Sequence, residues 1–82
     1  MATWKRKKFY TTFDIRKIYN IKRETLRDWI DRDFVFPTLP AKGKGTKALF
    51  DEKAVFEIGL FKYLVGGGFT REMASKIVRE VM

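Results

Sequence analysis

Residues 20–32 read NIKRETLRDWIDR, and the way this stretch is read decides the fold. Leu26, Trp29 and Ile30 fall at i, i+3 and i+4, so they share one face of a helix expected over residues 22–32. Arg23 and Arg27 stand four apart and flank that face, and Arg32 closes its far end. A short helix anchored on one side and carrying long cations at its edge suits a DNA major groove, which admits one α-helix. The same pattern also describes an ordinary solvated amphipathic helix, so its neighbours must decide.

Upstream, Thr11 or Thr12 is an N-cap candidate, because a hydroxyl can accept a free backbone N–H. Ile15, Ile18 and Tyr19 then repeat at helical spacing. Asn20 is suited to the left-handed conformation of a tight turn, and Ile21 is its apolar plug. A second helix following within a few residues has helix-turn-helix spacing.

Downstream the period changes. In residues 33–40, DFVFPTLP, Pro37 and Pro40 cannot continue a helix. Residues 41–47, AKGKGTK, form a tip in which Gly43 and Gly45 supply positive φ. With Ala48, Leu49 and Phe50 as a return strand, residues 36–50 are expected to form a two-stranded wing. Lys42, Lys44 and Lys47 place three cations on it, with Thr46 among them. This is not a phosphate-binding Walker loop, since G-x-x-x-x-G-K-[ST] is not present.

Asp51 is an N-cap for a third helix reaching about Val65. That helix carries one apolar stripe of Ala54, Val55, Ile58, Phe61 and Val65, and a second of Phe56, Leu60 and Tyr63. The last helix is expected to cover the second stripe; the alternative is a dimer or partner surface. The glycines at 66–68 stop the third helix, and Thr70 caps a fourth with the stripe Met73, Ala74, Ile77, Val78 and Val81.

The 82 residues suffice for one small domain, and 45% hydrophobic with 16% aromatic residues is not a disordered composition. The formal net charge of +8 suggests a polyanionic partner, nucleic acid first and an anionic membrane surface second. Residues 1–8 form a basic arm, with Lys5, Arg6, Lys7 and Lys8 in a row. It is read either as a solvated tail or as an arm that follows phosphates or enters a minor groove. Residues 9–82 are then one domain. There is no Cys and no His, which excludes disulfides, thiolate zinc sites, imidazole ligands and histidine-based acid–base catalysis. No enzyme, metal or cofactor is expected. No apolar run reaches the ~18 residues of a membrane span, and the N-terminal residues do not read as a secretory signal, so a cytoplasmic, nucleoid-associated protein is expected.

The run from Tyr10 to Val78 resembles the DNA-binding domain of the MerR family, a winged helix-turn-helix. Three pieces carry the likeness. Residues 25–29 (TLRDW), with Phe34, Val35 and Pro37, are similar to the family's TLRYYE-x-x-GLL-x-P. Residues 49–52 (LFDE) open a helix like its R-x-Y-[ST]-x-x-D, and residues 68–73 (GFTREM) resemble its G-[FY]-[ST]-x-x-[EI] corner. The chain departs from the pattern at Asp28, where the family often has an aromatic, at Ile30, where it has an acid, and at Ala48, where the wing arginine stands. The family's long dimerising helix and effector region are not expected here, nor is inducer sensing. A second likeness joins Gly43, Lys44 and Gly45 to residues 49–51 and 54–55: this resembles the wing and following helix of small terminase subunits of some tailed phages, and phage excisionases use related winged domains.

The resemblance implies a mostly α fold of about four helices with a small β-hairpin wing. It also implies a double-stranded DNA partner and transcriptional regulation. Arg23 and Arg27 would reach guanine edges or flanking phosphates, and Thr25 a phosphate or a base. Asp28 would accept from cytosine N4 or balance Arg32, while Lys22, Lys42, Lys44 and Lys47 would meet phosphates. A homodimer or a neighbouring protein on the DNA would supply the affinity one small domain lacks. The rival readings are a phage DNA-processing factor using the same surface, and a protein-interaction module built on Phe56, Leu60 and Tyr63.

Overall fold

The computed structural model describes residues 8–43 and 45–81. Four helices follow in order: α1 (Thr12–Tyr19), α2 (Arg23–Asp31), α3 (Glu52–Gly66) and α4 (Arg71–Val81). Thr11 is the N-cap of α1. Its hydroxyl accepts from the Asp14 amide at 3.3 Å, and the Asp14 carboxylate accepts from the Thr11 amide at 3.0 Å, a reciprocal capping box. Asp51 Oδ1 accepts from the Ala54 amide at 2.8 Å to start α3, and Thr70 Oγ1 accepts from the Met73 amide at 3.1 Å to start α4.

The first three helices end by one device. A residue with positive φ follows the helix, so the next amide turns back onto a carbonyl of the last turn. Asn20 (φ 55°) lets the Ile21 amide reach Arg16 O at 3.0 Å. Gly68 (φ 104°) does the same for the Phe69 amide and Leu64 O at 3.1 Å. After α2 the left-handed position is Asp33 (φ 62°), and the Phe34 amide bonds Trp29 O at 2.9 Å. Asp33 stands where the motif quoted above has its glycine. It went unread in the sequence because an aspartate signals a cap less clearly than Asn or Gly.

The core draws on all four helices, with α3 contributing most to it. The Trp29 and Phe61 rings meet edge to face, centroids 4.8 Å apart and planes at 75°, and Phe34 stacks on Phe61 at 5.8 Å and 22°. Tyr10, Ile15, Ile21, Leu26, Val35, Phe50, Ala54, Val55, Ile58, Ala74 and Val78 complete it. Gly59 lets α1 approach α3, since a Cβ there would lie 2.6 Å from the Tyr19 ring carbon Cζ. The Tyr19 hydroxyl donates to Val55 O at 2.9 Å, and burial pushes its pKa above the ordinary tyrosine value.

Three expectations need correction. The two-stranded wing over residues 36–50 does not form; among the described residues there is one bridge in that loop, Leu39 to Leu49, and a second from Tyr10 to Phe50. Leu39 and Leu49 exchange both amide bonds, at 2.9 and 2.8 Å. The next pair outward would be Pro37 with Asp51, but proline has no N–H and the Asp51 amide goes to Thr38 Oγ1 at 2.9 Å. On the side away from the tip the ladder therefore stops at this rung. The fold is mostly α, with a loop where the hairpin was expected.

The second correction concerns α3. Its end helix does not cover the second stripe: Phe56 is 59% exposed and Tyr63 77%. The third concerns α4, which buries Ala74, Ser75 and Val78 while Met73 and Val81 stay exposed. Small residues at 74 and 75 allow close approach, and Ser75 finds a partner for its hydroxyl in Phe34 O at 3.0 Å. Arg79 also reaches back, donating to Asp33 O at 3.0 Å and lying 5.0 Å over the Phe36 ring. Thus α4 braces the turn behind α2.

Two stability measurements follow. Phe61→Ala should cost about 3–5 kcal/mol in chemical denaturation, because it removes the ring shared by Trp29 and Phe34. Asp33→Gly should raise stability by about 0.5–1 kcal/mol, since glycine adopts positive φ without the Cβ penalty and keeps the carbonyl used by Arg79. A neutral or destabilising Asp33→Gly would show that the aspartate side chain holds the turn.

Candidate nucleic-acid interface

The helix α2 begins and ends within one residue of its expected bounds. Leu26 and Trp29 are buried and Ile30 is half-buried, so this side packs inward. Arg23 and Arg27 lie at the border of this side, and both are exposed. Arg27 Nε lies 3.8 Å from Asp31 Oδ2 with both side chains largely in water, at 74% and 68% exposed. Such a pair contributes little, so Arg27 can leave it for another acceptor. Lys22 is exposed and precedes the first turn without giving it a side-chain cap, and Thr25 is half-buried.

Asp28 was left open between a base contact and a charge balance. Arg32 Nε donates to Asp28 Oδ1 at 2.9 Å, so the two residues are paired one turn apart. Among the described residues, the exposed edge of α2 therefore offers Arg23 unpaired and Arg27 in a weak, solvent-exposed pair, with Arg32 held by Asp28.

The loop places Lys42 and Lys47 in solvent, while Lys44 lies outside the described residues, as do residues 1–7 of the basic arm. Lys8 is exposed. Thr46 has a local task. Its hydroxyl accepts from the Lys42 amide and donates to Gly43 O, each at 2.8 Å. Its single proton is thus spent inside the tip, which closes over the positive φ of Gly43 and Gly45. No hydrogen bond or ion pair among the described residues joins the loop cations to α2.

One cation of this region was missed in the sequence. Arg16 of α1 lines a groove of about 220 Å³ together with Arg23 and Arg27. The reading of α1 followed its apolar residues, and only the packing angle of α1 on α2 brings Arg16 to the arginines of the next helix. Among the described residues no cluster of three or more acidic groups could hold a metal ion, and no helix is long and apolar enough to cross a membrane.

Two short helices joined across residues 20–22, the second docked by its apolar side with Arg23 and Arg27 exposed along the border of that side, make a helix-turn-helix domain. The family model described as MerR HTH family regulatory protein matches residues 10–81, which takes in all four helices and the loop between α2 and α3. The chain belongs to this family of regulatory proteins. No curated protein matches it.

Proposed function

We propose that this chain binds double-stranded DNA, with α2 in the major groove, and that it regulates transcription. The observation that carries the reading is the division of α2 into a buried Leu26–Trp29 side and an outer edge from which Arg23 and Arg27 project. Membership of a helix-turn-helix regulatory family supports it. Arg27 takes a guanine edge, Arg23 a base edge or a flanking phosphate, and Thr25 a neighbouring phosphate or base. Asp28 steadies Arg32 beside the backbone and keeps a second oxygen for a cytosine amino group.

Lys22, Lys42, Lys44 and Lys47 contact phosphates, Thr46 shapes the tip that presents them, and the arm at residues 1–8 follows the backbone. With roughly six phosphate contacts, log K falls against log salt with a slope near −5. Residues 9–82 act as one domain. The exposed Phe56 and Tyr63 support pairing with a second copy or with a neighbour on the DNA. A transcriptional role places the protein in the cytoplasm, at the nucleoid. A phage DNA-processing role would use the same surface and has no observation of its own in its favour.

Selection of bound duplexes from a random pool should enrich one site with the wild-type protein. Arg27→Ala should lose about 1–3 kcal/mol of discrimination at a guanine in it; an enriched site that survives unchanged would refute the role given to α2. Replacing Lys42, Lys44 and Lys47 by Gln should weaken binding to all duplexes alike, and a loss confined to one sequence would contradict their phosphate role.

A further inference from the structure

The groove between α1 and α2 brings three arginines together over an apolar surface. Arg16, Arg23 and Arg27 line it, Leu26 and Ile30 form its apolar floor, and Asp31 is the one carboxylate on its wall. Arg27 has Asp31 at 3.8 Å, whereas Arg16 and Arg23 have no carboxylate within ion-pair reach among the described residues. Arg16 Nε is buried and has no hydrogen-bond partner within the protein. Leaving a buried N–H of a charged group without an acceptor is costly, and such groups are rarely left so. The volume of about 220 Å³ is several times that of a water molecule, ~30 Å³.

We propose that this groove is a phosphate seat, and that Arg16 with Arg23 holds in it a backbone phosphate of the duplex that α2 enters. The proposal rests on the DNA-binding reading and adds to it a residue of α1. Phosphate fits for three reasons. Guanidinium forks match the spacing of phosphate oxygens and bond them in pairs. The apolar floor of Leu26 and Ile30 lowers the local dielectric and strengthens each of these bonds. Arg23 is the first residue of α2, whose opening turn has no side-chain cap, so the positive end of the helix faces the same end of the groove. Asp31 lies beside Arg27 and pairs with neither Arg16 nor Arg23, so among the described residues no carboxylate competes with phosphate for those two forks. A phosphate seated here fixes how far α2 sinks into the groove, because α1 and α2 then grip one point of the backbone.

Free inorganic phosphate has the same chemistry, so the test has two arms. The Arg16 Nε–H signal of the ¹⁵N-labelled protein is followed while a short mixed-sequence duplex is added, and separately while sodium phosphate is added at matched ionic strength. In parallel, duplex affinity is measured across a salt series for the wild type, Arg16→Gln and Arg16→Lys. The expected result is an Arg16 signal that moves with duplex. Arg16→Gln should bind every duplex several-fold more weakly, with a salt slope shallower by about 0.9, the value of one phosphate contact. Arg16→Lys should keep the slope.

If the wild type binds duplex with a steep salt slope while the Arg16 signal stays still and Arg16→Gln keeps the full slope, the seat is refuted and the DNA-binding reading stands. If the wild type does not bind duplex, both fall. An Arg16 signal that moves with inorganic phosphate but not with duplex would make the groove a free-anion site and overturn the assignment. The wild-type signal needs no variant, so a failure of Arg16→Gln to fold leaves the test intact.

Discussion

The contact on which the rest depends is the edge-to-face meeting of Trp29 and Phe61, with Phe34 also stacked on Phe61. A nine-residue helix such as α2 is not stable alone in water. It exists because Leu26 and Trp29 bury their area in the core, Trp29 directly against Phe61 of α3. Once that side is fixed, Arg23 and Arg27 are held along its border, with their side chains exposed. The arginines of the candidate interface are therefore placed by the apolar contact whose border they flank.

Around this contact the chain builds a brace. The turn after α2 uses a left-handed Asp33 so that Phe34 can fold back against Phe61. From the far end of the chain, Ser75 and Arg79 bond the carbonyls of Phe34 and Asp33. Helix α4 thus acts at a distance on the position of α2, without touching its outer edge. The loop that follows is held more lightly, by the Leu39–Leu49 pair at its base and Thr46 at its tip. One cationic projection is backed by the core and the other by a few hydrogen bonds, which suits base reading for the first and phosphate contact for the second.

Much of this was legible before any coordinates. Thr11, Asp51 and Thr70 announce helix starts because hydroxyl and carboxylate side chains have one local job there. Asn20 and the glycines at 66–68 announce stops for the same local reason. The apolar spacing of Leu26 and Trp29 gave α2 to within a residue at each end. The wing was misread because Gly and Lys at a tip, flanked by Phe and Leu, suggest a hairpin. The requirement that both partners of each rung supply an N–H is visible only when Pro37 is seen opposite Asp51. Arg16 was missed because its neighbours in space belong to the next helix.

Short-range chemistry by itself determined where α1, α3 and α4 begin, where α1 and α3 stop, which residues of α2 turn inward, and that Arg23 and Arg27 border them. Those properties depend on hydrogen bonds and periodicities within a few residues. Tertiary structure decided which of α3's two apolar stripes is buried, how few rungs the loop can form, and that α1 contributes an arginine to the edge of α2. Each of these depends on the angle and distance at which one element meets another, and that is set by side-chain volume and close packing across the core, which no local pattern encodes.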